Sequence, residues 1–136
     1  MTAASLNVAS LSAAPREQKP GVIDADHLER MTLGDRRLER EVLELFVRQT
    51  TIMLDRIANS DRAIAAASAH TLKGSARGIG AWRVARAAEL VEQAARDPGE
   101  GDIEEAGAEL RAASLEASAA IGARLTVLLA ELAADR

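Results

Sequence analysis

The chain has 136 residues, 48% hydrophobic and 28% charged, with a formal net charge of −4. That length suits one domain and excludes a large multi-domain enzyme, and the apolar share is enough for a core. Phe46 and Trp82 are the only aromatic residues, so the base-stacking platforms and basic surface of nucleic-acid binders are missing.

Alanine fills about a fifth of the chain. It is the strongest helix former, while β-rich cores lean on aromatic and β-branched side chains. The composition therefore predicts an all-α fold. There is no cysteine, which removes disulfides, thiolate metal sites and cysteine nucleophiles. The first basic side chain is Arg16 and no apolar h-region precedes it, so a secretory signal is not expected. No stretch is read as the roughly 18 apolar residues of a membrane span, and a cytoplasmic location is the expectation.

Residues 1–22 are Ala/Ser-rich, hold Pro15 and Pro20, and are read as a flexible tail. A helix within residues 3–14 would have few partners. Order is expected over residues 23–136. Asp24 can cap a short helix from Ala25 to about Thr32, closed by Gly34. Asp35 can cap a second, Arg36–Asn59, with Leu38, Val42, Leu45, Phe46, Ile52, Met53 and Ile57 at helical spacing. Asn59-Ser60-Asp61 opens a third helix to about Arg77, with Gly78 as its left-handed terminating residue. A fourth, about Ala81–Arg96, carries Val84, Ala87, Ala88, Val91 and Ala95 on one stripe and stops at Asp97-Pro98-Gly99. The last starts near Asp102 and runs towards Ala134, with a stripe from Ile103 through Leu110, Ala117, Ile121 and Leu125 to Leu132. Gly107 and Gly122 each weaken it by about 1 kcal/mol relative to alanine. Short connections between long amphipathic helices predict an antiparallel four-helix bundle capped by the short first helix.

The third helix carries the chemistry. At 100° per residue, Ala65, Ala69, Leu72, Ala76 and Ile79 share the core side, with Ser68 and Ser75 on its border. His70 lies about 160° from Leu72 and points to solvent. Ala63, Ala66, Lys73, Gly74 and Arg77 share its side. Gly74, one turn after His70, costs about 1 kcal/mol inside a helix, and its value is the clearance it leaves beside the ring. Lys73 at i+3 and Arg77 add positive charge. A solvent-facing imidazole with cations and a steric clearing suits acceptance of a phosphoryl group.

Ala69-His70-Thr71-Leu72-Lys73-Gly74-Ser75-Ala76, followed by Ile79-Gly80-Ala81, resembles the signature of histidine-containing phosphotransfer (HPt) domains of two-component phosphorelays. Asp24, Leu28, Gly34-Asp35, Leu38, Phe46, Asp61, Leu90 and Glu92 extend the resemblance, which covers residues 23–96 and reaches the last helix by position. It implies an HPt bundle over residues 23–136 that relays a phosphoryl group between His70 and receiver-domain aspartates of response regulators. It assigns His70 as the phospho-acceptor, Lys73 as the group that stabilises the phosphoryl oxygens, and Gly74 as clearance for the docked receiver. Further candidates for partner contact are Ala66, Ala67, Arg77 and Trp82, with Arg83 and Arg86 on a solvated face. The resemblance implies no cofactor of the chain's own, Mg²⁺ in the partner receiver, a hybrid histidine kinase as a second partner, and a monomer. No nucleic-acid or membrane partner is expected.

Other readings are weaker. His27 reads as a surface residue, and two distant histidines without thiols make no metal site. Lys73-Gly74-Ser75 lacks the order of a P-loop. Histidine-kinase dimerisation helices carry an acidic residue and a proline where Thr71 and Ser75 stand, and 136 residues leave no room for a nucleotide-binding domain, so autophosphorylation from ATP is not expected. The alternative function is a structural or adaptor bundle that binds receiver or kinase domains without transfer. Val127 and Leu129, off the main stripe of the last helix, could support self-association.

Overall fold

The computed structural model describes residues 21–135, so most of the expected tail, including residues 3–14, lies outside the described residues. Among the described residues there are five α-helices and no strand. They are α1 (Ala25–Met31), α2 (Arg36–Asn59), α3 (Arg62–Ile79), α4 (Trp82–Arg96) and α5 (Ile103–Ala134), with a short 3-10 turn at Pro98–Glu100. Val22 and Ile23 pack against the core just before α1.

The aspartates anticipated as helix starts act as such. The Asp24 carboxylate accepts from the His27 amide at 3.1 Å, and Asp35 accepts from Arg37 and Leu38. Asp61 accepts from Ile64, and Asp102 from Glu104. Each such cap is worth about 1 kcal/mol. At the far end of α4, the Arg62 guanidinium donates to the Ala94 and Ala95 carbonyls, which fixes the start of α3 against the end of α4.

The end of α3 differs from expectation. The helix runs through Gly78 to Ile79, and the left-handed residue is Gly80, at φ 80°. Packing decides between the two glycines. A Cβ on Gly80 would lie 2.9 Å from the Asp24 Cβ, whereas one on Gly78 would meet nothing. The Asp24 amide also donates to the Gly80 carbonyl at 2.9 Å, so the turn after α3 is where α1 docks.

α2 differs too. Its buried line is Glu39, Leu43, Phe46, Thr50 and Met53, and Leu38, Leu45 and Ile52 are exposed. Two polar residues hold core positions because each is satisfied there. The Thr50 hydroxyl donates to the Phe46 carbonyl at 2.7 Å, and Glu39 takes a two-pronged bond from Arg124 of α5, at 2.6 and 3.0 Å. The stripe expected on α4 is buried throughout. On α5, Leu110, Ala113, Ala117, Ile121 and Leu128 are buried, joined by Ser114, which the apolar pattern did not include.

α2 packs on α3 and α5, and α4 packs on α3 and α5. α3 and α5 therefore sit across the bundle from one another. The core joins Leu43, Phe46, Leu72, Val84, Val91, Leu110, Ile121 and Leu128 to fully buried alanines such as Ala69, Ala76, Ala88 and Ala117. Small side chains on facing stripes let the helices approach closely.

The membrane reading needs a correction. α5 contains an 18-residue stretch of mean hydropathy 1.5, long and apolar enough by length and composition to cross a membrane. Alanine and leucine raise the mean, and the two charges the stretch holds, Arg124 and Glu131, are paired with Glu39 and Arg36 on α2.

Candidate functional site

His70 stands in the middle of α3, between the Asp61 cap and the Gly80 terminus. Its side chain is 62% exposed. Nδ1 lies 3.0 Å from Oε2 of Glu92 on α4. The Glu92 side chain is only 11% exposed, and two cations share it. Lys73 Nζ is 3.0 Å from Oε1 and the Arg96 guanidinium 3.0 Å from Oε2. One carboxylate thus gathers an imidazole, an ammonium and a guanidinium.

Burial is the largest influence on the Glu92 carboxyl and pushes it up. Hydrogen bonds from Lys73 and His70, with the charge behind them, outweigh burial and hold the carboxyl below the usual glutamate range. Glu92 is therefore an acceptor only, and the proton between it and His70 belongs to Nδ1. That fixes the tautomer. The neutral ring carries its lone pair on Nε2, the nitrogen away from Glu92.

The space beside the ring is open. A Cβ placed on Gly74 would meet no heavy atom within 4 Å, and Thr71 and Ala67 are exposed small neighbours. Ala66 is 4% exposed and belongs to a small apolar cluster with Ala65 and Ala95. It cannot offer the partner contact expected of it, because α4 leans over that flank of α3. Lys73 is also less free than the sequence suggested, with its side chain 15% exposed and tied to Glu92.

Trp82 and the Arg77 carbonyl meet α1 at the end of α3. The Arg77 carbonyl accepts from His27 Nε2 at 2.9 Å. Trp82 packs its ring 4.9 Å from that of His27 and donates Nε1 to Asp24 at 3.0 Å. That Trp82 bond is the first influence lowering the Asp24 carboxyl, followed by the His27 amide. Trp82 precedes Glu92 by ten residues on α4, about 15 Å along the axis. His27, read as a plain surface residue, adds a bond to one of the last carbonyls of α3, beside those from the Gly80 and Ala81 amides.

Two residues of the site were not singled out from the sequence for any role, Glu92 and Arg96. A signal was present. Glu92 is four residues after Ala88 and three before Ala95, inside the buried stripe of α4. A carboxylate placed there demands cationic partners, and Arg96 follows one turn later.

The Hpt domain family model matches residues 41–135. No curated protein matches the chain. Among solved structures, the X-ray structure of a rice protein named as a histidine-containing phosphotransfer protein superposes with a TM-score of 0.71 at 20% identity. The match covers 87% of this chain and 96% of that one, and at this identity it speaks for the fold. Hpt domains are phosphocarrier modules that work with the kinases and response regulators of phosphorelays. With its family model matched from the early part of α2 to the end of α5, this chain belongs to the Hpt domain family.

Proposed function

We propose that the protein accepts a phosphoryl group on Nε2 of His70 from the aspartyl phosphate of a response-regulator receiver domain and passes it on to another. The observation that carries this reading is an exposed imidazole whose Nδ1 is held by a buried carboxylate. The Nε2 lone pair attacks phosphorus in line. The bond from phosphorus to the aspartyl oxygen breaks, and the receiver aspartate leaves as a carboxylate. The ring becomes a cation that keeps its Nδ1 proton against Glu92. A charge-assisted hydrogen bond is about twice as strong as a neutral one, so Glu92 stabilises the phosphorylated ring and orients the free one. The return step reverses these bonds.

Lys73 and Arg96 supply positive charge for the phosphoryl oxygens. Glu92 holds both in place until those oxygens arrive, and the four groups together carry a net positive charge while His70 is neutral. Gly74 leaves room for the receiver backbone. The receiver supplies the acidic pocket and Mg²⁺, and the chain has no cofactor of its own. The remaining roles follow from that assignment. Residues 23–136 act as one domain, an antiparallel four-helix bundle capped by α1, in the cytoplasm, with a hybrid kinase as a further partner and without autophosphorylation from ATP.

Incubation with a receiver labelled on its aspartate tests this. Wild type should take up acid-labile label and His70→Gln should take up none. Equal labelling of both proteins refutes the assignment, and binding of the receiver without any labelling favours the adaptor reading.

A further inference from the structure

The outward side of α5 carries an apolar seam that nothing else among the described residues covers. Leu115, Ala119, Gly122, Thr126, Leu129 and Ala133 are all exposed, Leu115 at 67% and Leu129 at 50%. Their spacing alternates four and three, the heptad period of a coiled-coil seam. The seam holds no charge. The three charges in this part of the helix are turned elsewhere, Glu116 to Arg83, Arg124 to Glu39 and Glu131 to Arg36. Only 17% of the most apolar 18-residue stretch of α5 is buried within the chain, so the hydropathy of the helix exceeds what its own core uses. Gly122 lies on the seam with open space where a Cβ would be. Inside the bundle it only weakens the helix.

We infer that this seam is an interface between two copies of the chain, packed as an antiparallel pair of α5 helices. The order of side chains selects both the partner and the direction. In an antiparallel pair that uses the whole seam, Leu115 meets the second copy's Ala133, Ala119 meets its Leu129, and Gly122 meets its Thr126. Every layer then joins a larger side chain to a smaller one, which gives even spacing along the seam. A parallel pair would stack leucine on leucine and glycine on glycine, leaving layers of unequal width. The seam is thus complementary to itself, as a two-fold interface requires. Residues 115–133 span about 28 Å, and a strip of that length and one helix wide buries on the order of 1,000 Å² over both copies. That area lies at the lower edge of specific interfaces, so the dimer forms and dissociates with concentration. Because α3 lies across the bundle from α5, both His70 faces stay open, and the pairing does not depend on the phosphotransfer reading.

Sedimentation equilibrium of the full chain over a hundredfold concentration range tests this. The apparent mass should rise from 14.4 kDa towards twice that value. Leu115→Glu with Leu129→Glu should hold it at the monomer value, with unchanged helicity. Gly122→Gln should raise the melting temperature and yet weaken dimerisation at least tenfold, a combination that a purely structural role for Gly122 would not give. The chain has no cysteine, so direction can be read by oxidation. A mixture of Ala119→Cys and Leu129→Cys proteins should cross-link, and neither alone should. A monomer at every concentration overturns the inference, as does efficient self-cross-linking of either single variant. Uptake of monomer onto neutral phosphatidylcholine vesicles in place of dimerisation also overturns it, since the seam would then serve a lipid surface.

Discussion

The His70 face and the outer face of α5 are built from the same material, alanine, glycine and short polar residues around an exposed mid-helix glycine. Gly74 and Gly122 both have open space where a Cβ would stand. What separates the faces is where charge is anchored. Beside His70, a nearly buried Glu92 collects an imidazole and two cations into one polar cluster. Along α5, Glu116 and Arg124 are drawn sideways to other helices and the surface between them is left neutral. Small side chains alone give access, and the ion pairs beneath them decide whether it is access to reacting groups or to an apolar surface.

The strongest way to break this comparison is at His70. His70→Gln should reduce phosphoryl uptake to background while leaving dimerisation and melting unchanged, read by label retention and sedimentation. Glu92→Ala comes next. It should cost about 2 kcal/mol of stability by stranding Lys73, and lower the transfer rate by about 10- to 100-fold, in line with the loss of other residues that orient a reactive imidazole. Glu92→Gln keeps an acceptor for Nδ1 and should lose less of both, measured by denaturant unfolding and single-turnover transfer. Gly80→Ala should cost about 2 kcal/mol, since it forces a side chain into left-handed backbone against Asp24, whereas Gly78→Ala, inside the helix, should stabilise by up to about 1 kcal/mol.

The sharpest contrast is the paired substitution Gly74→Ala and Gly122→Ala. Each should stabilise its helix by up to about 1 kcal/mol. Only the first should slow transfer and only the second should weaken dimerisation.

Acid provides a smaller effect. The Glu92 carboxyl is lower in the folded chain than in the unfolded one, so the unfolded state binds more protons as pH falls. The contribution of Glu92 is complete above the ordinary carboxylate range, about pH 4, and is lost as pH drops through the folded value. Asp24 acts in the same direction. Melting temperature should therefore decline below about pH 4, and less steeply in Glu92→Gln.

Much of this was legible in the sequence. The caps at Asp24, Asp35, Asp61 and Asp102, the stripe on α4 and the exposure of His70 all follow from local chemistry and helical period. The errors share one cause, which is that partners far along the chain override local pattern. Glu39 holds a place on the core line of α2 because Arg124, 85 residues on, satisfies it, and Thr50 is the local exception, bonded to the Phe46 carbonyl one turn back. Gly80 rather than Gly78 ends α3 because Asp24, more than fifty residues earlier, packs there. Ala66 is buried because α4 covers it. Glu92 drew no role because a glutamate on a helix is ordinarily solvated, and only its place within an apolar stripe marked it as different.

The cluster that joins α1 to the α3–α4 turn has a spectroscopic consequence. Trp82, the single tryptophan of the chain, sits with its indole nitrogen on Asp24 and its ring against His27. Its emission therefore reports one event, the docking of the N-terminal helix, free of overlapping signals from elsewhere. Detachment of α1 would take Asp24 and His27 away from an indole that is already 45% exposed and shift its emission to longer wavelength. The chain carries a built-in optical gauge where α1 meets the turn between α3 and α4.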